Sequence, residues 1–187
     1  SCDLSSDLDG RIVARQMRRT LLAYMAGPRF DPKYAMTVQQ VADLFREPSP
    51  LERLGATAAA DNHHPSHSPD LAIDGNPSTI WHTDWEPMAQ PPHHLVLDLK
   101  QPVAVRGLTY LPRQDMTNGR IARYEVYLSG DGQQWGDPVA AGTWPNDATL
   151  KTVRFAEPRA ARFVRLVALS EVNGRPYASA AEVAILL

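Results

Sequence analysis

Residues 61–94 read DNHHPSHSPDLAIDGNPSTIWHTDWEPMAQPPHH and hold all six histidines of the chain and two of its four tryptophans. Three kinds of chemistry fit these residue types. A zinc site could draw on His63, His64, His67 and His82, since neutral imidazole is a common zinc ligand. His63 and His67 are four apart, but Pro65 argues against the helix that would put both on one face, and no Glu completes a helical H-E-x-x-H pattern. A calcium site could form over 72–79, AIDGNPST, which packs a carboxylate, a turn glycine and hydroxyls into a short loop. The same residues also read as an Asp-Gly turn without an ion. A sugar site could form from three loops: one with His82, Asp84 and Trp85, a second with Arg113, Gln114, Asp115 and Asn118, and a third with Tyr177. Sugar recognition needs a flat aromatic face for the C–H patch of the ring and a few directional donors and acceptors for its hydroxyls. The alternative is that Trp81 and Trp85 are core side chains, Arg113 lies on the surface and Tyr177 packs under a loop.

Other chemistries find less support. No G-x-S-x-G elbow, P-loop or G-x-G-x-x-G is present, and no spacing singles out a pair of catalytic carboxylates. The single cysteine, Cys2, excludes an internal disulfide framework and a four-cysteine zinc site. Residues 1–50 carry seven Lys/Arg against six Asp/Glu, and residues 51–187 twelve against fifteen, for a formal net charge of -2. Neither part offers the basic stripe that nucleic acid requires. Apolar runs are only a few residues long, too short for a membrane-spanning helix.

The elements that must position these loops fall into two parts. Val13, Met17, Leu21 and Tyr24 recur at helical spacing, with Ser5, Ser6, Asp7 and Asp9 as capping residues and Gly27-Pro28 as the stop. Thr37 and Gln40 form a capping-box pattern before a second helix with Val38, Val41, Leu44 and Phe45, and Glu47-Pro48-Ser49-Pro50 reads as a linker. From Leu54 onward the pattern is short β segments: 54–59, 95–99, 103–111, 121–128, 138–143, 150–155, 162–169 and 182–187. Tyr124, Val126 and Leu128 share one face of theirs, and Ser129-Gly130-Asp131-Gly132 signals a turn. Sixteen prolines and eleven glycines fit such a body. The expected division is a helical segment over 1–50 and a β domain over 51–187, mainly β and built as a sandwich or jelly roll. A start at Ser-Cys, without a basic-then-apolar leader, reads as a piece of a longer protein.

The residues from about 54 to 187 resemble the discoidin or coagulation-factor C-type domain, and specifically the family 32 carbohydrate-binding modules of bacterial glycoside hydrolases. The stretches that carry the likeness are ATAAAD, LAIDGNPSTIWHTDW, PHHLVLDL, VRGLTYLPRQD, NGRIARYEVYLSGDGQQW, RFVRLVAL and NGRPYASAAEVAIL, in family order. The resemblance implies an eight-stranded jelly-roll β-sandwich of the galactose-binding-like type. It also implies one structural calcium held by the main-chain oxygens of Leu71, Asn76 and Ala181, the carboxylates of Asp74 and Glu182, and both the carbonyl and hydroxyl of Thr79. Carried over to this sequence, the trio of galactose-binding members falls on His82, Arg113 and Asn118, with Trp85 and Tyr177 as aromatic walls. Asp84 and Asp115 would then reach more distal hydroxyls.

Residues CDLSSDLDGRIVARQMRRTLLAYM resemble, more loosely, the C-terminal segment of family 2 glycoside hydrolases of the β-galactosidase type. Together the likenesses imply a non-catalytic module that binds a glycan ending in galactose or N-acetylgalactosamine and tethers a parent glycoside hydrolase in cis. They further imply a secreted, periplasmic or cell-surface bacterial protein. A purely structural accessory domain is the alternative. The lipid- or protein-binding role of animal discoidin domains is disfavoured, because the cysteine pair and apolar loop spikes of those members are absent.

Overall fold

The computed structural model describes residues 3–43 and 48–187. The chain divides into two compact units, Ser1–Glu47 and Pro48–Leu187. In the first, helix α1 (Ile12–Met25) carries Val13, Met17 and Leu21 at spacings of four. The expected cap is not used. Asp3 instead gathers the Ser5 and Ser6 amides at 2.9 and 3.1 Å and pairs with Arg11 at 3.0 Å, so the helix starts only at Ile12. Helix α2 (Val38–Asp43) opens on the expected reciprocal pair: Gln40 donates its amide to Thr37 Oγ1 at 3.1 Å, and Thr37 donates its own to Gln40 Oε1 at 2.8 Å. Leu44, Phe45 and Glu47, like Cys2, lie outside the described residues.

The second unit opens with a helix where the sequence reads as a linker. Ser49 and Glu52 form a capping box around α3 (Pro50–Leu54), with Pro50 in the first turn, where its missing N–H is not needed, and Gly55 ending the helix at φ 64°. The first strand, β1 (Thr57–Ala60), therefore begins later than expected. The others are β2 (Trp81–His82), β3 (His93–Leu111), β4 (Arg123–Ser129), β5 (Ala140–Thr143), β6 (Lys151–Ala168), β7 (Ser179–Ala180) and β8 (Glu182–Leu186). Segments 95–99 and 103–111 are one strand with an irregularity between Asp98 and Val103, and 150–155 joins 162–169 in the same way. At the bend Lys100 takes φ 67°. Asp98 holds it there, accepting the Lys100 amide at 2.8 Å and a two-point bond from Arg162 at 2.8 and 3.0 Å.

All pairings are antiparallel. The order β1-β3-β6-β4-β5 runs through the first half of β3 and the second half of β6, while β8 pairs with the second half of β3. The two long bent strands thus feed both layers of a mainly β sandwich, the jelly-roll-like fold expected from the sequence. Leu95, Leu97 and Leu99 alternate into the core from one layer, and Val105, Leu108 and Tyr110 enter it from the other half of β3. Trp144 stacks between Tyr110 and Tyr124, with ring centroids at 4.6 and 3.8 Å. Gly107 is required where β3 crosses β6, because a Cβ there would lie 2.2 Å from the Val153 carbonyl oxygen.

Candidate sugar-binding site

The two-residue strand β2 supplies His82, and its pairing with β7 brings Tyr177 beside it, ring centroids 5.5 Å apart. The chain turns from β2 directly into Trp85. Asp84 shapes that turn, accepting the Trp85 and Glu86 amides at 2.8 and 3.2 Å, so its carboxylate caps the loop. The loop after β3 supplies Arg113 and Asn118 and is anchored at two points. Arg120 donates to the Arg113 carbonyl at 3.1 Å, and Ser179 donates its amide to the Gly119 carbonyl at 2.7 Å. Gly119 sits at φ 83° with a would-be Cβ 2.6 Å from Ser179 Oγ, so only glycine lets Asn118 approach β7 this closely.

His67, His82, Trp85, Arg113, Asn118 and Tyr177 line one open pocket of about 390 Å³. All five residues named from the sequence are on its wall. His67 is the member that sequence reasoning did not assign to it. Its only signal was membership of the histidine-rich loop, where it reads as a zinc candidate. His64 stacks on Trp85 instead of facing the pocket, with centroids 3.7 Å apart. Among the described residues, no group of three or more His, Cys, Asp or Glu is placed to hold a metal ion. Trp81 is a core residue that donates its indole N–H to the Asn62 carbonyl at 3.3 Å.

The hydrogen-bond network fixes what each polar group presents. A carbonyl only accepts, so the 2.6 Å contact of His82 Nδ1 with the Thr83 oxygen places the proton on Nδ1. Burial pushes His82 below its ordinary value, against the Thr83 bond, and the charge of Arg113 adds to the fall. Neutral His82 therefore turns an acceptor, Nε2, to the pocket, where Asn118 Nδ2 lies 3.2 Å away. Arg113 donates Nε and Nη2 to the carboxylate of Asp115 at 2.6 and 2.9 Å, and that bond holds Asp115 below the usual carboxylate range. Nη1 of Arg113 is left out of this two-point pair. Asp115 thus orients Arg113, and Gln114 turns away to the Pro112 and Ala148 carbonyls. His67 is also pushed down, by burial and by the neighbouring His64 and Arg113. The wall thus combines an acceptor, a guanidinium donor, a side-chain amide and two aromatic rings.

Four of the residues expected as calcium ligands, Asp74, Asn76, Thr79 and Glu182, lie together elsewhere in the domain. Asp74 accepts the Asn76 amide at 2.8 Å, and Thr79 Oγ1 lies 2.8 Å from the Asp74 carboxylate and 2.7 Å from the Asn76 carbonyl, two acceptors for its single proton. Glu182, on β8, meets this loop. Burial, reinforced by the charge of Asp74 beside it, pushes Glu182 up to about 7. Glu182 Oε1 is buried with no hydrogen-bond partner. An orphaned carboxylate oxygen against a second carboxylate, in a loop rich in carbonyls, is a donor set suited to a hard cation.

Residues 56–183 match the F5/8 type C domain model, well over half of the chain. The chain belongs to the F5/8 type C domain family. Residues 1–46 match a second model, described as a domain of unknown function (DUF8487). Galactose oxidase of Gibberella zeae is 46% identical over 138 residues, which are 72% of this chain and 20% of that protein. The chain thus spans about a fifth of the length of this curated relative. Among solved structures, CpGH89CBM32-5 of Clostridium perfringens, in complex with GalNAc-β-1,3-galactose, is 36% identical with a TM-score of 0.66, covering 72% of this chain and 97% of that one. The family 32 module of C. perfringens NanJ, in complex with galactose, is 32% identical with a TM-score of 0.66, covering 73% and 95%. The F5/8 type C domain of this chain thus has family 32 carbohydrate-binding modules as structural neighbours. No helix among its described residues is long and apolar enough to cross a membrane.

Proposed function

We propose that the F5/8 type C domain is a non-catalytic module that binds glycans ending in galactose or N-acetylgalactosamine. The observation that carries this reading is the convergence of His82, Arg113, Asn118, Trp85 and Tyr177 on one open pocket. An axial O4 hydroxyl replaces the Asn118 amide on His82 Nε2, donating to that nitrogen and accepting from Arg113 Nη1 or from the displaced amide, while the apolar face of the ring packs on the aromatics. An equatorial O4 leaves these groups unpaired, a difference of roughly 1–3 kcal/mol. An open monosaccharide site of this size binds weakly, with Kd roughly 0.1–1 mM, so firm attachment needs repeated modules or repeated ligands. Two neighbours solved with galactose-containing ligands support the same sugar class.

In this reading the domain tethers a parent glycoside hydrolase, joined in cis, to its glycan, in a secreted, periplasmic or cell-surface setting. A family 2 parent stays part of the proposal on the strength of residues 1–50 alone. One calcium ion, held by Asp74, Thr79, Glu182 and the main-chain oxygens of Leu71, Asn76 and Ala181, pins the loop to β8. Its role is structural. Retention on a galactose-substituted matrix tests the reading: wild type is retarded and eluted by free galactose, whereas Arg113→Ala passes through. Passage of the wild type through galactose and N-acetylgalactosamine matrices alike favours a purely structural domain.

A further inference from the structure

His93, at the start of β3, is buried, and both of its ring nitrogens face acceptors. Nδ1 is 2.9 Å from Asp61 Oδ2 and Nε2 is 2.9 Å from the Pro176 carbonyl oxygen. A carboxylate and a carbonyl can only accept, so both nitrogens must donate, and the ring is an imidazolium. Asp61 stands at the head of the 61–67 loop that carries His64 and His67, and it also accepts the His94 amide at 2.8 Å. Pro176 immediately precedes Tyr177. One charged ring therefore joins the two loops that give the pocket wall His67 and Tyr177, and it is not itself part of that wall.

We propose that His93 is a positioning residue for the sugar site, whose proton ties the Tyr177 loop to the 61–67 loop and whose loss releases Tyr177 from its place on the pocket wall. The inference rests on the sugar-binding reading above. Losing one proton leaves a single N–H for two acceptors. Asp61 retains it as the stronger, charged partner, and the Pro176 bond is the one that breaks. The groups around the ring set the pH range. Asp61 faces it directly, with His94 Nδ1 4.0 Å from the other oxygen of that carboxylate. Across the sheet its partner on β6 is Ala168, which pairs in turn with Tyr124 on β4, and Arg175 and Tyr177 flank Pro176. Burial disfavours the imidazolium, but the Asp61 and Pro176 bonds and the Asp61 charge outweigh it, so the ring titrates above its ordinary value.

The test follows the histidine ring nitrogens by NMR from pH 6 to 9.5 and measures galactose affinity over the same range. The expected result is a ring that carries both protons at pH 6 and titrates above the ordinary imidazole value. As it loses its proton, galactose binding should weaken roughly threefold to tenfold, the effect of one hydrogen bond. His93→Gln should be weakened already at pH 6 and show no further alkaline loss. A His93 that is neutral at pH 6 overturns the inference, as does galactose binding that is indifferent to the ring's titration. Absence of galactose binding at every pH instead overturns the sugar-binding reading on which it rests.

Discussion

His64 lies flat on the indole of Trp85, with ring centroids 3.7 Å apart and planes inclined by 10°. The imidazole is held there by its own loop: its Nδ1 accepts the Ser66 hydroxyl at 2.8 Å, and its amide donates to the His82 carbonyl at 3.0 Å. Trp85 is 43% exposed, yet one of its two faces is already covered, so the remaining face and edge are what a sugar can meet. Removing the backing ring should let the indole rotate. His64→Ala is expected to weaken galactose binding by roughly threefold to tenfold, within the 0.5–1.5 kcal/mol of an aromatic pair, with little change in melting temperature. Isothermal titration of both proteins checks this.

Arg113 and Asp115 separate binding from support. Arg113→Ala removes a pocket donor and should reduce galactose affinity by about 1–3 kcal/mol. Asp115→Asn leaves the guanidinium in place but loosens its orientation, and should weaken binding by less. Asp115 is largely exposed, so neither change should move stability far. Titration of the two variants side by side measures the difference.

The pH dependence of binding has an acid limb set by His82. Its folded value lies below the ordinary imidazole value of about 6.5, and only the neutral ring offers Nε2 as an acceptor. Affinity should hold at neutral pH and fall as pH drops through the depressed value, where the ring gains its second proton. Stability shifts in the same direction. The unfolded chain binds that proton more readily, so the His82 contribution begins to be lost below about 6.5. A binding curve that stayed level down to pH 4 would show that His82 does not accept from the ligand.

Calcium should appear in the thermal unfolding. With the ion at about a hundred times its Kd the stabilisation is about 2.7 kcal/mol, so a chelator should lower the melting temperature by roughly 5–10 °C. Asp74→Ala and Glu182→Ala should each abolish the difference between chelated and calcium-loaded protein. An identical melting temperature in chelator and in millimolar calcium would contradict the proposed ion.

Trp144 links Tyr110 on β3 to Tyr124 on β4, and Tyr110 reaches the site by donating to the Ser179 carbonyl at 3.0 Å. Trp144→Ala should cost about 3–5 kcal/mol in chemical denaturation, the range for a large aromatic removed from a packed core.

Periodicity and short-range chemistry account for which parts of the molecule were legible in the sequence. The alternation of Leu95, Leu97 and Leu99 and the Thr37/Gln40 pair are local signals, and each forms as read. Pro50 misleads, because a proline that looks like a linker residue is also well suited to the first turn of a helix capped by Ser49. Strands β2 and β7 are two residues each, too short to show a period, so the pairing that sets His82 against Ser179 is visible only in three dimensions. The bends in β3 and β6 are hidden for a related reason: Asp98 and Arg162, the pair that braces one of them, are far apart in the chain. Asp84 and Asp115, read as candidates for distal hydroxyls, cap a loop and hold Arg113, contacts that no spacing in the sequence shows. His93 gave no signal at all, since its role depends on a carboxylate and a carbonyl from two distant loops.

The most direct measurement is a titration of labelled protein with galactose, N-acetylgalactosamine, glucose and N-acetylglucosamine, followed through the backbone amide shifts. Selective binding of an axial O4 at this pocket predicts saturable shifts with the two galacto sugars, concentrated at Trp85, Asn118 and Tyr177, and none with the gluco sugars at the same concentrations. Equal shifts with the gluco sugars, or no shift with any of the four, would contradict it.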